Sequence, residues 1–382
     1  IVVLNNGAVL PEEMSTDERV KVFEFEHQYV GALKKFACSK CTGDYLLELD
    51  HDDLLTVDAI WRIKLAISQD PECGFFYSNA IEFKDGFTPN DLYSPIYGWR
   101  YRQVTYNGHQ LFEPISFDPH PAAITKIWYA PNHVRVWKKD LYDLIGGHNE
   151  GMRVLDDQEL MSRTYIHTHF HHIDEALYLY RVTGNNTWLK HNQEIQDNVM
   201  PLYKRYIKQC AGAWADRSDH NKLELGGRFN PTPGFTTVDL KDSDIVFDLN
   251  AKDWTGMFGE NSTGCIVASD VFEHLPDQIN TMVNCHRILA DGGMLIVSVP
   301  STDGRGAFQD PTHVSFWNQN SFWYYTDANV AKYIDTPVRF QVSYLETIFP
   351  SEWHRINNIP YVEAHLICLK DKTKRYPGEL NI

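Results

Sequence analysis

Two acidic clusters in the first half of this 382-residue chain have residue types suited to chemistry on a charged substrate. Asp50-His51-Asp52 follows the apolar run Tyr45-Leu46-Leu47-Glu48-Leu49. Ligands of open α/β sheets bind at strand C-termini. Two carboxylates spaced by one residue at a tight turn there can both face Mg²⁺ or Mn²⁺, which takes a few carboxylates plus phosphate oxygens. Such an ion can hold a diphosphate leaving group and neutralise the charge it gains. The competing reading is an acidic helix start, with Asp52 and Asp53 complementing the helix dipole. Asp156-Asp157 forms the second cluster, where like-charge repulsion raises the pKa of the pair. It too reads alternatively as a helix N-terminal charge pair.

The second half places chemistry at the ends of short apolar runs. Gly226 and Gly227 follow Glu224-Leu225, and glycines there let a ligand approach the backbone closely. Asp239 ends the next run, where one carboxylate can accept both ribose hydroxyls of an adenosine cofactor. Asp248 ends the third run, and Asp270 opens Asp270-Val271-Phe272-Glu273-His274-Leu275 after the fourth. Asp310-Pro311-Thr312-His313 precedes the aromatics Phe316, Trp317, Phe322, Trp323 and Tyr324. Those rings suit a sugar-binding wall and equally an ordinary core. His313 or His274 could serve as base for O-methylation, with His274 the more structural of the two.

Other polar residues divide between function and packing. His133 could touch sugar or phosphate, and Arg181 phosphate or a surface acid. His167, His169, His171 and His172 fall in a strand-like run, Thr164 to Ile173. Alternation would put the first three on one face as a transition-metal surface, although a solvated strand is the simpler reading. Cys38-Ser39-Lys40-Cys41 lies in an amphipathic helical stretch and reads as two buried thiols rather than a metal or redox pair.

The elements that position these residues follow α/β grammar. Strands are expected over Ile1–Leu4, Val20–Phe25 and Tyr45–Leu49, and helices over Tyr29–Cys41 and Leu55–Ile67. Phe87 to Pro131 has weak periodicity and reads as substrate loops. A helical stretch runs from Asn192 to Trp214. Strands then recur at Lys222–Leu225, Thr236–Leu240, Ile245–Leu249, Cys265–Ser269 and Met294–Val299, with a helix over Pro276–Leu289. About ten residues separate the first two of these strands, too few for a crossover helix. Three segments result: residues 1–190, a helical linker over 191–220, and residues 221–382.

Composition narrows the partners. Lys and Arg number 35 against 51 Asp and Glu, a net charge of −16, which disfavours nucleic acid and anionic membrane. No apolar run approaches the ~18 residues that span a bilayer. Seven cysteines are too sparse for a disulfide framework and point to a reducing cytoplasm. The chain opens on Ile1 without Met and reads as a fragment.

Three motifs in order resemble the GT-A fold of the family 2 glycosyltransferases. They are Gly43 to Asp53, then Ile145-Gly146-Gly147-His148-Asn149 with Val154-Leu155-Asp156-Asp157-Gln158-Glu159-Leu160, then Leu177-Tyr178-Leu179-Tyr180-Arg181 with Asn185-Asn186-Thr187-Trp188. The resemblance implies sugar transfer from a nucleotide-diphosphate sugar. Asp50 would lie near ribose and metal, Asp52 would be the principal metal ligand, and Asp157 would be the general base with Asp156 beside it. The family's first strand is missing, and Asn5-Asn6 replace its usual aspartates. Residues 221 to about 375 are similar to a class I S-adenosylmethionine-dependent methyltransferase. The similarity rests on Asp270-Val271-Phe272-Glu273-His274-Leu275 and Arg287-Ile288-Leu289-Ala290-Asp291-Gly292-Gly293, and implies cofactor contacts at Gly226, Gly227, Asp239, Asp248 and Asp270. The glycine loop lacks the usual G-x-G. The expectation is a two-domain α/β enzyme, a GT-A fold followed by a compact Rossmann-like fold, that adds a sugar to a glycan or glycoconjugate and methylates it. A non-catalytic second half is the rival reading.

Overall fold

The computed structural model describes residues 1–94, 98–127 and 130–377. The chain forms two compact units, Ile1–Pro95 with Trp99–Cys210, and Ala211–Ile382 with Ile96–Gly98. Both are mixed α/β.

In the first unit, β1 (Val2–Asn5) and β2 (Lys21–Glu24) pair in parallel as a separate ribbon. Asn5 closes the following turn on itself, since its Oδ1 accepts from the Ala8 amide and its Nδ2 donates to the Ala8 carbonyl. The main sheet contains β3 (Tyr45–Leu47), β4 (Leu54–Leu55), β5 (Phe75–Lys84), β6 (Thr88–Pro89), β9 (Arg135–Lys138) and β10 (Phe170–Arg181). Its order is β3-β9-β5-β10-β4, with β6 on β5. β5 and β10 run parallel at its centre, and β9 is antiparallel to both β3 and β5. Phe76 and Ala80 of β5 pack with Leu177 and Tyr178 of β10 and with Ile63 and Ala66 of the helix Ala59–Gln69.

Two expectations are corrected here. The weakly periodic region contains a hairpin, β7 (Arg100–Tyr106) and β8 (His109–Ile115), joined by Asn107-Gly108. Both turn residues have positive φ, 47° and 82°, the geometry that Asn-Gly favours in two-residue hairpin loops. The run Thr164–Ile173 is not one strand. Helix Asp156–His167 continues through its first four residues and β10 starts only at Phe170, so His167 ends a helix.

The second unit is a single sheet of order β13-β12-β11-β14-β15-β17-β16. Its strands are β11 (Asn221–Leu225), β12 (Thr236–Asp239), β13 (Ile245–Val246), β14 (Thr263–Ser269), β15 (Leu289–Pro300), β16 (Phe340–Ile348) and β17 (Tyr361–Cys368). The first five pair in parallel, and β17 is antiparallel to both its neighbours. β14 is buried from Thr263 to Ala268, as a strand covered on both faces must be. The strand order reverses between β11 and β14, and ligands of doubly wound sheets bind in the crevice at that point.

No crossover helix joins β11 to β12. Instead Glu224 at the end of β11 accepts from the Thr232 amide and hydroxyl and so holds the 226–235 loop. Gly226 has φ +69°, and a Cβ there would collide with the Val271 side chain. Gly226→Ala should therefore cost about 1–3 kcal/mol, the range for overpacking. Gly256→Ala, which meets only open space, should change stability by less than about 1 kcal/mol. Hydrogen exchange of the β14 peptide under increasing urea compares them, and equal effects would contradict the packing account.

Candidate functional site

The first unit brings its two acidic motifs together. Residues 48–53 leave β3 and turn, while Asp156 and Asp157 begin the helix Asp156–His167. The acidic turn is clamped to β10 through Tyr178, whose hydroxyl donates to Asp53 Oδ2 (2.9 Å) and accepts from the Asp50 amide (3.1 Å). The Arg181 amide donates to Asp53 Oδ1 at 2.7 Å. Burial pushes the Asp53 carboxyl up to about 7 despite these bonds. Asp53 is therefore an anchor, whereas Asp50 and Asp52 stay partly exposed. Burial also raises the Asp50 pKa, helped by Glu48 and Asp52 and opposed by Lys34 and Arg135. Asp52 keeps 31% of its side chain exposed. This oxygen-rich, under-neutralised pair fits a hard divalent cation.

Two buried cations hold the carboxylates together. Lys34 Nζ lies 3.3 Å from Glu48 Oε2 and 3.7 Å from Asp156 Oδ2. Burial alone would lower its pKa, but Glu48, Asp156, Asp50 and Asp157 push it well above the usual lysine value. Lys34 reaches this place because its helix, Val30–Lys40, nests against residues 149–152. The Gly31 amide donates to the Met152 carbonyl, and any Cβ on Gly31 would strike the Asn149 carbonyl. Arg135 Nη1 meets Asp157 Oδ2 at 2.5 Å, and its Nε and Nη2 donate to the Pro131 carbonyl.

The adjacent aspartates separate. Burial raises Asp156, with Asp157 adding to the effect and Lys34 opposing it. Burial would raise Asp157 as well, but Arg135 and Lys34 hold it below the usual carboxylate range. Asp156 is 5% exposed and sits 3.7 Å from His148 Nε2, whereas the Asp157 side chain is 23% exposed. Of the two, Asp157 is the one a substrate can touch.

The Gly146-Gly147-His148-Asn149 loop borders an open cleft of about 450 Å³ lined also by Glu159 and Arg163. Arg163 donates to the Ile145 and Gly147 carbonyls at 2.6 and 2.7 Å and is itself held by Glu159. His148 is fully buried, with Nδ1 2.9 Å from the Tyr142 hydroxyl and Nε2 2.9 Å from Glu48 Oε1. His133 stacks on Tyr178 with ring centroids 4.5 Å apart, and burial drives its pKa well below the usual histidine value, so it is neutral. The Arg181 guanidinium lies 5.6 Å from the Phe83 ring centroid, and its buried Nε has no hydrogen-bond partner among the described residues. His169 Nε2 and His171 Nδ1 both meet Asp70 Oδ2, at 2.8 and 3.0 Å, while His172 stacks on Tyr77. Cys38 is buried and Cys41 half-buried, both as free thiols.

In the second unit the expected residues fall on one edge of the sheet. Gly226 and Gly227 follow β11, Asp239 closes β12, Asp248 lies two residues past β13, and Asp270 follows β14. Asp239 Oδ1 accepts from the Leu240 amide, leaving Oδ2 for another donor. Asp248 Oδ1 takes the Asn250 amide and side chain. Carboxylates on adjacent strand ends beside the switch point fit an adenosine cofactor with a ribose diol. His313 Nδ1 is 3.0 Å from the Ala307 carbonyl, and His274 Nδ1 is 3.1 Å from the Thr312 carbonyl. Glu273 is 2% exposed, with neither carboxylate oxygen hydrogen-bonded among the described residues.

The sequence alone gives no role to Lys34, Glu48, Arg135, His148 or Glu273. Glu48 was the readable one, because an acid inside an apolar strand requires a buried partner.

A family model described as a methyltransferase domain matches residues 109–332, more than half of the chain and parts of both units. The uncharacterized protein y4gI of Sinorhizobium fredii (strain NBRC 101917 / NGR234) is 25% identical over 181 residues, covering 46% of this chain and 18% of that protein. The chain thus spans under a fifth of the length of the curated relative it matches. Among solved structures, S. aureus TarS 1-349 in complex with UDP-GlcNAc is 13% identical, with a TM-score of 0.40 over 57% of this chain and 62% of that one. Haemonchus contortus phosphoethanolamine N-methyltransferase 2 in complex with S-adenosyl-L-methionine is 12% identical, with a TM-score of 0.28 over 40% of this chain and 49% of that one. Likenesses this loose assign no residue.

Arg135→Met should destabilise the first unit by about 2–4 kcal/mol, because it leaves buried carboxylates without their cation. Adding Asp157→Asn should recover part of that loss. Urea denaturation of both variants measures it, and a single-variant cost under about 0.5 kcal/mol would contradict a structural ion pair.

Proposed function

The chain belongs to the methyltransferase-domain family, and from that premise we propose that residues 221–382 methylate a glycan or glycoconjugate that residues 1–190 extend by one sugar, with residues 191–220 as a helical linker. The observation that carries the methyltransferase half is the acid-lined strand edge at the switch point. Asp239 would hold the ribose hydroxyls, Asp248 and Asp270 would contact the rest of the cofactor, and the backbone at Gly226 and Gly227 would lie beside it, with their Cβ positions taken by Val271 and by Glu224 and Thr237. S-adenosylmethionine, when bound, supplies an electrophilic methyl group. His313 stands on the acceptor side.

For the sugar-transfer half, the supporting observation is the convergence of Asp50, Asp52 and Asp157 from motifs about a hundred residues apart. Asp50 and Asp52 would hold Mn²⁺ or Mg²⁺, which supplies charge neutralisation to a nucleoside-diphosphate leaving group. The acceptor oxygen attacks the anomeric carbon as the bond to the diphosphate breaks, and its proton passes to Asp157. Arg135 keeps Asp157 ionised and oriented, so the carboxylate accepts the proton as attack proceeds. Attack from the face opposite the leaving group inverts the sugar. Arg181, whose amide holds Asp53, and His133, stacked on Tyr178, would serve phosphate and sugar. The net charge of −16 sets nucleic acid aside as acceptor. The sparse cysteines suit the cytoplasm, and among the described residues no helix is long and apolar enough to cross a membrane.

A second reading, that residues 221–382 are a binding or scaffold module, is favoured by one feature. Glu224 is occupied by Thr232 in a loop that replaces the crossover helix. Calorimetry with S-adenosylhomocysteine separates the two. Wild type should bind and Asp239→Ala should bind roughly 10²-fold more weakly, consistent with ~1.5–3 kcal/mol for hydrogen bonds to a charged group. Equal affinities would remove Asp239 from the site, and no binding by either would favour the scaffold. Asp157→Asn should lower sugar transfer by roughly 10²–10⁴-fold without weakening donor binding. Asp52→Asn should abolish Mn²⁺-dependent donor binding, and wild-type binding by that variant would refute the cation site.

A further inference from the structure

Glu273, His274 and His313 form a cluster in which only His313, on the acceptor side, has a place in the proposed reaction. Each offers one ligand atom, and these atoms lie within 4.8 Å of one another. Glu273 is buried, and both its carboxylate oxygens lack hydrogen-bond partners among the described residues. An ionised carboxylate in that state costs several kcal/mol, so without a cation burial holds the group protonated, its pKa pushed up to about 8. His313 Nε2 stands 4.0 Å from Glu273 Oε1.

The tautomers of the two histidines follow from their backbone contacts. A carbonyl oxygen only accepts, so His313 Nδ1 beside Ala307 O and His274 Nδ1 beside Thr312 O both carry the proton. Each ring then presents an Nε2 lone pair. Imidazoles that ligate metals usually donate their other N–H to a carbonyl or carboxylate, which fixes ring orientation. The cluster therefore comprises two oriented imidazole acceptors and a buried carboxylate, and no donor is shared among them.

We propose that Glu273, His274 and His313 bind one divalent transition-metal ion at the β14 end of the second unit. Two imidazoles and one carboxylate suit Zn²⁺, Mn²⁺ or Fe²⁺ better than Mg²⁺ or Ca²⁺, which prefer all-oxygen sites. Bond lengths of 2.0–2.2 Å require the three side chains to close by about an ångström. Three protein ligands leave a coordination position open, as in catalytic rather than structural sites. Asp270 lies three residues away on the same loop, which would put the ion beside the candidate cofactor edge. That placement rests on the methyltransferase reading, but the existence of the ion does not. With an ion bound, His313 is a ligand and not a free base.

The test uses the full chain carrying Asp52→Asn, so that the acidic turn of the first unit does not compete. Metal is stripped with a chelator and Co²⁺ is titrated. One equivalent should bind with visible d–d absorption, Zn²⁺ should displace it, and Mg²⁺ should not. Glu273→Gln and His313→Ala should each weaken Co²⁺ binding by at least about 10-fold, the range for lost metal contacts. Circular dichroism verifies that the variants fold, and His274→Ala serves if either of them does not. Unchanged Co²⁺ binding in these variants would overturn the proposal. So would loss of the equivalent in His169→Ala, which would place the metal at Asp70 in the first unit. S-adenosylhomocysteine is titrated on the same samples. Co²⁺ bound without S-adenosylhomocysteine would keep the metal site and reject the methyltransferase reading.

Discussion

Four carboxylates and two cations share one buried region of the first unit, and the placement of everything around them depends on that charge balance. Glu48, Asp50, Asp156 and Asp157 come from segments a hundred residues apart, and Lys34 and Arg135 come from two others. None of these groups would be stable there alone, since an isolated buried charge costs several kcal/mol even after relaxation. The balance is incomplete on the outer side. Asp50 is pushed toward protonation by burial, whereas Asp157 is held ionised by Arg135. A cation arriving at Asp50 and Asp52 would complete it, and a proton arriving at Asp157 would meet an accessible carboxylate.

The second unit uses strand ends differently. Its acids lie at the ends of the parallel strands of a mixed sheet, and some are occupied by local backbone donors, as at Asp239 and Asp248. Those bonds orient a carboxylate while leaving one oxygen for a ligand. Glu224 is the exception, with both oxygens taken by Thr232. The loop it holds stands where a crossover helix would otherwise present amide groups at a helix N-terminus. A ligand here would therefore be gripped mainly by side chains, since the space beside Gly226 is taken by Val271.

Much of this was legible in the sequence, for identifiable reasons. The strand edges that carry Asp239 and Asp270 follow from short apolar runs ended by acids, and the absence of a helix between β11 and β12 follows from their spacing. Asn107-Gly108 was a readable hairpin signal, hidden because the flanking aromatics and prolines blurred the alternation. The histidine run was misread because alternating residues in a polar stretch fit a helix end as well as a strand. Lys34 and Arg135 could not be placed at all. A cation's partner across tens of residues depends on tertiary packing, and the close approach at Gly31 that brings Lys34 in is visible only with the Asn149 carbonyl beside it.

The central claim is that two separate ligand sites lie at these two strand edges. Hydrogen exchange with mass spectrometry tests it on one sample. S-adenosylhomocysteine should slow exchange in peptides covering residues 224–240 and 268–275 and leave residues 46–56 unchanged. A nucleoside diphosphate with Mn²⁺ should slow exchange across residues 46–56 and 146–158 and leave the second unit unchanged. No protection by either ligand, or protection by both of the same peptides, would contradict the account.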